Sequence, residues 1–373
     1  MFFNAAKSVV LGVSPINNFS RQKGRGGKRG VTRSFFTPIF NSRQIQLILF
    51  SIITALIIIG CGVSTSKNIS SNSENITSQT RVIKHAMGET KVPLHPKRVV
   101  VLGGLDNVLA LGIKPIAATT LLYDQYPSYL QSKTEEVQKV GVNGSANLEK
   151  ILYLKPDLIL GLNWDADLYQ QLSQIAPTVL ADGDKNWKEW LTKFAEASGE
   201  TETAEKLLKD YDQKIITVRQ KMGNNLSKTQ VSLVNFWNNY TRIYMNDSFA
   251  GSIIKEIGLP RPSYQDKDKN SENISLEFIP QLEGDVIFLI LGEHNPSKLK
   301  QFTNHPLWLQ LEAVREDRIY QVSSDTWISS WGMIGANSVL DDLFKYLPLL
   351  VSKYQLKLLI FDPKKEVIVE WKN

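Results

Sequence analysis

Residues 201–222 read TETAEKLLKDYDQKIITVRQKM and form one long helical pattern. Apolar side chains recur at positions 204, 207, 208, 211, 215, 218 and 222, close to the 3.6-residue period of an α-helix. The segment contains no proline, and the first glycine after it is Gly223. A helix of this length would span about 33 Å at 1.5 Å per residue, which suits a rigid strut. The pattern therefore predicts two folded lobes joined by this helix.

Short apolar runs alternate with helical segments on both sides of the long helix. Before it, the predicted strands are 98–102, 116–118 and 158–160, and the predicted helices are 105–111, 148–154 and 187–197. After it, the predicted strands are 231–236, 286–291 and 319–322, and the predicted helices are 252–257 and 338–347. We expect the last helix to stop at Pro348. Strands that alternate with helices predict a parallel sheet covered on both faces.

The two halves of the chain share a repeated unit. Asn147, Glu149 and Asp157 have counterparts 128 residues later, at 275, 277 and 285. The apolar residues at 148, 151, 154 and 159 recur at the same offset. Because there are two copies and no more, this pattern is not a solenoid and instead indicates two similar lobes.

The basic charge of the chain is concentrated in its N-terminal tail. The formal net charge is +6, but residues 1–60 hold eight basic side chains and no acid. The rest of the chain therefore holds 35 basic and 37 acidic residues, a net charge of −2. A nucleic-acid-binding protein would need a basic folded domain, so this function is excluded. The tail itself is typical of a targeting segment.

Cys61 is the single cysteine, so an intrachain disulfide and a cysteine-based zinc site are excluded. It follows a 13-residue apolar run, Leu47–Ile59, which fits a signal-peptide core and is short of the about 20 residues that a spanning helix needs. The residues Ile58-Ile59-Gly60-Cys61 resemble a bacterial lipobox, which implies lipidation of Cys61. An uncleaved membrane anchor with an incidental cysteine is the alternative, and either places the body outside the cytoplasm.

These features predict six regions. They are a basic tail with a lipoprotein signal peptide (1–60), a flexible tether rich in Ser, Asn and Thr (61–80), an N-terminal lobe (81–200), the linking helix (201–222), a C-terminal lobe (223–348) and a C-terminal extension (349–373).

Several segments resemble class III substrate-binding proteins of ABC importers, which bind iron–siderophore complexes or vitamin B12. The resemblance covers residues 82–347 and rests on the order and spacing of the following segments: His85–Thr90, Pro96–Leu102, Leu105–Asn107, Ala110–Pro115, Asn147–Glu149, Leu154–Ile159, Phe249–Ser252, His305–Trp308, Ala313–Arg315 and Trp327–Leu347. It implies an α/β fold of two Rossmann-like lobes joined by a single long α-helix, with the ligand in the cleft between the lobes. It also implies a monomeric, lipid-anchored binding protein on the outer side of the cytoplasmic membrane.

The resemblance implies a docking role for Glu149 and Glu277. In the family, one glutamate on each lobe contacts arginine pockets on the permease subunits, and both positions match that motif. The alternative is local, because each glutamate lies two residues past a helix-capping Asn147 or Ser275, where the helix dipole favours an acid.

A cleft for a bulky ferric siderophore requires aromatic walls and a few polar groups. The candidates follow predicted strands or lie near the C-terminal end, and they are Trp237, Tyr240, Arg242, Trp327, Trp331, Tyr123 and Trp164. Core packing is the alternative for the aromatic residues, and a solvated surface charge is the alternative for Arg242.

Neither a metal site nor a catalytic set is evident in the sequence. The four histidines, His85, His95, His294 and His305, are spread along the chain, and two of them precede prolines at turns. No Gly-x-Ser-x-Gly elbow, phosphate-binding glycine loop or Cys–His pair is present outside the anchor. We therefore expect a binding protein without a cofactor, whose iron arrives already chelated. A cobalamin or haem carrier of the same transporter class is the alternative, and a tethered enzyme is a weaker one.

Overall fold

The computed structural model describes residues 79–121, 125–184, 186–238, 240–294 and 296–360. They belong to the unit Asn75–Asn373, and a second unit, Met1–Glu74, lies outside the described residues. The strands are β1 (Thr80–His85), β2 (Gly88–Pro93), β3 (Val99–Leu102), β4 (Ala117–Thr120), β5 (Gln138–Val142), β6 (Ser145–Ala146), β7 (Leu158–Leu162), β8 (Thr178–Ala181), β9 (Val231–Asn238), β10 (Tyr240–Tyr244), β11 (Ser271–Ile274), β12 (Val286–His294) and β13 (Ile319–Ser323).

The α-helices are α1 (Leu105–Ala110), α2 (Gln131–Thr134), α3 (Leu148–Leu154), α4 (Tyr169–Ile175), α5 (Trp187–Ser198), α6 (Thr201–Met222), α7 (Phe249–Ile257), α8 (Pro296–Thr303), α9 (Pro306–Gln310), α10 (Glu312–Arg315), α11 (Ser324–Trp327) and α12 (Met333–Ile360). Short 3₁₀ helices span Ser128–Leu130, Asn163–Leu168, Gly223–Lys228 and Leu276–Leu282.

The first lobe is built on a six-stranded sheet in the order β6-β5-β4-β3-β7-β8. Strands β3, β4, β5, β7 and β8 are parallel, and β6 is an antiparallel edge strand. All four residues of the central strand β3 are buried, because helices cover both faces of the sheet. The continuous apolar run that predicted this strand is therefore confirmed.

The second lobe is built on a five-stranded sheet in the order β11-β10-β9-β12-β13. Strands β9, β12 and β13 are parallel, whereas β10 and β11 are antiparallel. Two sheet-containing lobes joined by a long helix confirm the predicted fold class.

Helix α6 has the bounds that the sequence predicted. It buries one face, made of Ala204, Tyr211, Ile215, Val218 and Met222. The exposed face is mostly polar, with Ile216 as an exposed apolar residue, which fits a strut that lies against both lobes. The boundaries of the six predicted regions remain predictions.

The repeated unit has the same role in both sheets. In the first lobe, the Asp157 carboxylate accepts hydrogen bonds of 2.8 Å from the amides of Lys97 and Arg98, at the start of β3. In the second lobe, the Asp285 carboxylate accepts one of 2.7 Å from the Gln230 amide, at the start of β9. Each aspartate therefore ties its own strand, β7 or β12, to the neighbouring central strand.

The predicted end of the last helix at Pro348 is wrong, because α12 continues through it to Ile360. A proline inside a helix removes one backbone hydrogen bond and crowds the preceding turn, at a cost of about 3 kcal/mol. Twelve further helical residues follow, with neither glycine nor proline among them, and their leucines and lysines favour the helix. Part of the predicted C-terminal extension is thus helical, and residues 361–373 lie outside the described residues.

Glu256 in α7 links the second lobe to the first lobe and to α6. Its carboxylate pairs with the Lys188 ammonium of α5 and accepts a 3.0 Å hydrogen bond from the Tyr211 hydroxyl of α6. The guanidinium of Arg219 donates to the backbone oxygens of Glu256 and Ile257. These contacts hold the lobes together on the side of the linking helix. Within the described residues, none of the helices is both long enough and apolar enough to cross a bilayer.

Candidate ligand-binding site

A partly open cavity lies at the carboxyl ends of the parallel strands of the first sheet. Open α/β sheets bind ligands at this edge. Two of its wall residues, Ser329 and Ser330, come from the segment after α11, so the cavity lies between the lobes. The lining residues are Gly103, Gly104, Leu105, Asp106, Thr119, Leu121, Tyr126, Pro127, Tyr129, Leu130, Asn143, Ser329 and Ser330.

Gly103 and Gly104 turn the chain from β3 into α1 and form the floor of the cavity. Both have positive φ, 109° and 71°, a conformation that glycine adopts readily. A Cβ at Gly104 would also lie 2.5 Å from the ring of Phe194. A side chain at Gly104 would therefore displace Phe194, and both positions adopt a backbone conformation that other residues rarely take.

The polar groups of the cavity are mostly uncharged. The Thr119 hydroxyl donates to the side-chain oxygen of Asn143 at 2.6 Å, and the Ser330 hydroxyl donates to the Thr326 backbone oxygen at 2.8 Å. The lining residues include no lysine, arginine or histidine, within the part of the chain that the structure describes. Such a wall can hydrogen-bond an oxygen-rich ligand without a fixed positive charge.

Asp106 is the one carboxylic acid among the described lining residues, and both of its oxygens already accept hydrogen bonds from the protein. Its carboxylate accepts from the amides of Ile334 at 2.7 Å and Gly335 at 3.0 Å, and from the Tyr129 hydroxyl at 2.8 Å. Burial raises the pKa of Asp106 to about 6, although these donors oppose the shift. The neighbouring Asn107 side-chain oxygen accepts from the Met333 amide at 3.0 Å. Residues of α1 in the first lobe therefore cap the N-terminus of α12.

The turn before α12 depends on small residues. A Cβ at Gly332 would collide with the Asp106 carboxylate, and a Cβ at Gly335 would collide with the Ser330 hydroxyl. Trp331, directly before Gly332, has φ of 44°, a left-handed conformation that costs about 1 kcal/mol or more for a residue with a side chain. The contacts of Asp106 and of the Trp331 ring hold this turn in place.

Two of the predicted aromatic residues, Trp164 and Trp331, belong to one series of rings. The Trp164 ring lies 5.9 Å from Trp190, Trp190 lies 6.2 Å from Trp331, and Trp331 lies 5.8 Å from Phe249 of the second lobe. Trp164 is 52% exposed and Trp331 is half-buried, whereas the other two rings are buried. The series crosses from one lobe to the other and leaves one indole open to solvent.

Trp327 is in the core, contrary to the expectation that it lines the cleft. It is 1% exposed, its ring stacks on Phe288 at 4.6 Å, and its indole N–H donates to the Asp342 carboxylate at 2.8 Å. The serines around it suggested exposure, but the short helix α11 turns the indole inward. Trp327 therefore packs in the core, which was the alternative to lining the cleft.

Trp237, Tyr240 and Arg242 lie together on the β9–β10 hairpin, where Tyr240 pairs with Trp237. Tyr240 is 38% exposed, and the Arg242 guanidinium lies 5.2 Å from its ring centre. Arg242 also donates to the Asn273 side chain at 2.8 Å. The described ring contacts do not join this group to the Trp164–Trp331 series. Tyr123 lies outside the described residues.

Both predicted docking glutamates are exposed, each in the first turn of a helix. At Glu149, the Asn147 side chain caps α3 by accepting from the Lys150 amide at 2.9 Å. At Glu277, the 3₁₀ helix has no side-chain cap. The Ser275 side chain and the glutamate's own backbone amide instead donate to the carboxylate and lower the pKa of Glu277.

Two of the histidines, His305 and His85, make local structural contacts. His305 caps α9 by accepting from the Leu307 amide at 3.3 Å, which agrees with its predicted place in a turn. His85 lies 2.9 Å from the Thr90 hydroxyl, and burial lowers its pKa. Among the described residues, no group of three or more His, Cys, Asp or Glu side chains could hold a metal ion.

The hydroxyl and amide groups of the cavity were not predicted from the sequence. Thr119 lies near the end of β4, and Asn143 directly follows β5, the strand that pairs with β4. The position of Thr119 at the carboxyl end of a predicted strand was a signal that could have identified it. Ser329 and Ser330 carried no signal, because the tertiary fold brings their segment across from the second lobe.

The fold and the interlobe cavity define an α/β ligand-binding protein of two lobes. The family described as periplasmic binding protein matches residues 100–326, and the chain belongs to this family. The family and its structural neighbours are binding proteins, not enzymes, in agreement with the prediction.

The relatives are concentrated among siderophore-binding proteins. The chain is 35% identical over 322 residues to the probable siderophore-binding lipoprotein YfiY of Bacillus subtilis (strain 168), covering 82% of this chain and 98% of the relative. It is 32% identical over 265 residues to the achromobactin-binding periplasmic protein of Dickeya dadantii (strain 3937), covering 66% and 85%. The solved structure of Staphylococcus aureus SirA complexed with staphyloferrin B matches with a TM-score of 0.64 and 31% identity, covering 72% and 98%.

Proposed function

We propose that the chain captures a ferric siderophore in the cavity between its lobes and delivers it to an ABC importer. The observation that carries the proposal is the cavity itself. It lies between the lobes at the strand ends and is lined by hydroxyl, amide and backbone groups. The relatives named above for siderophores support the class of ligand.

Iron reaches this site as cargo inside its chelator. The described residues offer no cluster of metal-ligating side chains, so the protein recognises the outer surface of the complex. The Thr119 and Ser329 hydroxyls of the lining provide hydrogen bonds. The open indole of Trp164 lies outside this lining, after the carboxyl end of β7, and is proposed to add an apolar face at the same edge of the sheet.

Titration of intrinsic tryptophan fluorescence tests ligand capture. The panel contains ferric staphyloferrin B, ferric citrate, a ferric hydroxamate and ferri-bacillibactin, with the iron-free chelators as controls. We expect saturable quenching by at least one complex at micromolar concentration or below, about −8 kcal/mol or better. Quenching by cobalamin or haem, and by none of the ferric complexes, would contradict the proposal in favour of the alternative ligand class.

A pair of variants tests whether the ligand binds beside the ring series that contains Trp164. Trp164→Phe replaces the exposed indole of the ring series and is expected to reduce the quenching amplitude. Trp308→Phe replaces an indole that is 3% exposed in the core of the second lobe and is expected to leave it unchanged. Equal amplitudes in the two variants would place the ligand away from the ring series.

The proposal places the protein on the outer side of the cytoplasmic membrane, anchored by lipid at Cys61. Relatives named as lipoproteins support this, as does the apolar run before Cys61. Two or more acyl chains anchor a protein stably, whereas one does not. Cys61→Ser is expected to move the protein from the membrane fraction to the soluble fraction, and an unchanged distribution would contradict lipidation at this residue.

Delivery is proposed to occur through Glu149 and Glu277, from a single chain that acts as a monomer. The two carboxylates are exposed at equivalent places on the two lobes. A partner with two similar subunits would offer one basic pocket to each. Charge complementarity of this kind fixes the orientation of a complex.

A further inference from the structure

A groove lies beside Glu149 on the first lobe, between β5 and α3. It is lined by Val137, Gln138, Lys139, Val140, Glu149, Lys150, Tyr153 and Leu154. Because it is formed within the first lobe alone, it is separate from the ligand cavity between the lobes.

Tyr153 forms one wall of this groove and is 85% exposed. It follows Glu149 by four residues on α3, so both side chains point from the same face of the helix. Leu152, next to it, is 60% exposed. Burying these side chains against a partner would remove a large apolar area from water.

Apolar side chains also flank the other docking glutamate. Leu276 and Phe278, on either side of Glu277, are 42% and 40% exposed. Twelve large hydrophobic side chains are exposed in the described part of the chain, and four of them lie within four residues of Glu149 or Glu277. This clustering beside two equivalent carboxylates differs from the scattered exposed apolar residues of an ordinary surface.

We infer that Tyr153 and Phe278 are apolar anchors of the docking surface, each beside its glutamate, and that their partner is a permease subunit of the importer. The inference rests on the proposed delivery function and deepens it. Each subunit would present a cation to the carboxylate and apolar side chains to the ring. Tyrosine and other large rings beside a desolvated charge are typical of the few residues that dominate binding energy.

The two surfaces differ in a way that orients the complex. The first lobe offers a groove with Lys139 and Lys150 in its walls, so a permease side chain can enter it. The second lobe has Phe278 at the position equivalent to Lys150, and its ring lies 5.9 Å from Tyr264. One permease subunit would therefore insert a side chain into the groove of the first lobe. The other subunit would receive the Phe278 ring of the second lobe.

Iron-55 uptake tests the anchors in cells that carry the importer and the full-length chain, with the siderophore panel described above. Tyr153→Ser and Phe278→Ser are each expected to lower uptake about tenfold and to leave quenching by the ferric complex unchanged. Leu309→Ser is the matched control, since Leu309 is 52% exposed on α9, and it is expected to transport normally. Normal uptake by both ring variants would overturn the inference.

The double variant Glu149→Gln with Glu277→Gln separates this inference from the proposed function. If the double variant transports iron normally, the proposed docking function fails. If it loses uptake while the ring variants transport normally, only the role of the rings fails.

Photo-crosslinking identifies the partner. With p-benzoylphenylalanine at position 153 or 278, we expect a crosslink to a permease subunit, identified by mass spectrometry, and none from position 309. A crosslink to a second copy of this chain, or to neither protein, would overturn the assignment of the partner.

Discussion

The two lobes place an exposed carboxylate at equivalent positions by different local structures. In the first lobe, Asn147 caps a regular α-helix and Glu149 lies in its first turn. In the second lobe, the helix is of the 3₁₀ type with Pro280 inside it, and the Ser275 side chain bonds to Glu277 rather than to the backbone. Glu149 and Glu277 therefore keep the offset of 128 residues, although they lie in helices of different types.

The difference bears on the alternative role of the glutamates. A capped α-helix gives Glu149 a favourable dipole, which explains an acid there without any partner. A short 3₁₀ helix without a side-chain cap gives Glu277 much less of this stabilisation. Helix capping therefore explains the first carboxylate better than the second, and the proposed docking explains both.

The lobes also bury charges of opposite sign. The first lobe buries Asp106 and Asp165, at 3% and 2% exposure, and burial raises the pKa of each to about 6. The second lobe buries Arg261, and burial lowers its pKa to about 10. Between pH 4 and 8 these two buried acids should therefore make the stability of the first lobe depend on pH.

The largest effect is expected from the docking glutamates. Glu149→Gln and Glu277→Gln should each lower iron uptake roughly 30-fold, and the double variant roughly a thousandfold, because each leaves a basic pocket of the permease unpaired. Siderophore affinity, measured by fluorescence titration, should stay unchanged. A strong loss of iron uptake from one substitution and none from the other would show that the two lobes do not contribute equally to docking.

The next effect concerns Asp165, on the 3₁₀ helix after β7. Neither of its oxygens makes a well-oriented hydrogen bond among the described residues, and the nearby Gly144 amide offsets burial only in part. The pKa is raised above the unfolded value of 3.8, so stability is lost as the pH rises from about 4 to about 6.

Asp165→Asn should therefore raise the unfolding free energy by about 3 kcal/mol at pH 8 and by little at pH 4. Thermal unfolding at both pH values measures this. A stabilisation that is equal at the two pH values would show that ionisation of Asp165 is not its cause.

Removal of the strand-tying aspartates should destabilise both lobes similarly. Asp157→Ala leaves two backbone amides without a charged acceptor at the start of β3, and Asp285→Ala leaves one at the start of β9, each at a cost of about 2 kcal/mol. Amide hydrogen exchange can follow β3 and β9 separately. Each substitution should speed exchange only in the sheet of its own lobe. Faster exchange in both sheets after a single substitution would show that each aspartate does not act on its own sheet alone.

The smallest effect should distinguish the two helix starts. Asn147→Ala removes a cap and should cost about 1 kcal/mol, whereas Ser275→Ala removes no bond to the backbone and should cost much less. Ser275→Ala should instead raise the pKa of Glu277 towards its ordinary value, which NMR titration of the carboxylate can follow. Equal losses of stability would show that the two helix starts are alike.

Local pattern predicted the elements whose signals are carried by consecutive residues. Helix α6 has the predicted bounds because its apolar period, and Gly223 after it, fix both its face and its end. Strand β3 was predicted from four consecutive apolar residues. Pro348 does not end the last helix as predicted, because one lost hydrogen bond does not stop a helix that is favoured on both sides.

The candidate site was predicted only in part, since tertiary contacts decide which side chains meet. Trp164 and Trp331 meet through Trp190, which the sequence did not single out. The indole of Trp327 turns inward onto Phe288 although its sequence neighbours are polar. The link from Asp106 to α12 joins residues more than 200 positions apart, a distance over which no local pattern extends.

The central claim is that the chelated iron sits between the lobes and touches no protein ligand. Anomalous scattering at the iron edge, from crystals grown with the ferric siderophore that quenches most strongly, locates the metal directly. The account predicts one iron peak in the cavity bounded by Thr119, Asn143 and Ser329, surrounded by siderophore oxygens alone. A peak outside this cavity, or one coordinated by side chains of the protein, would contradict it.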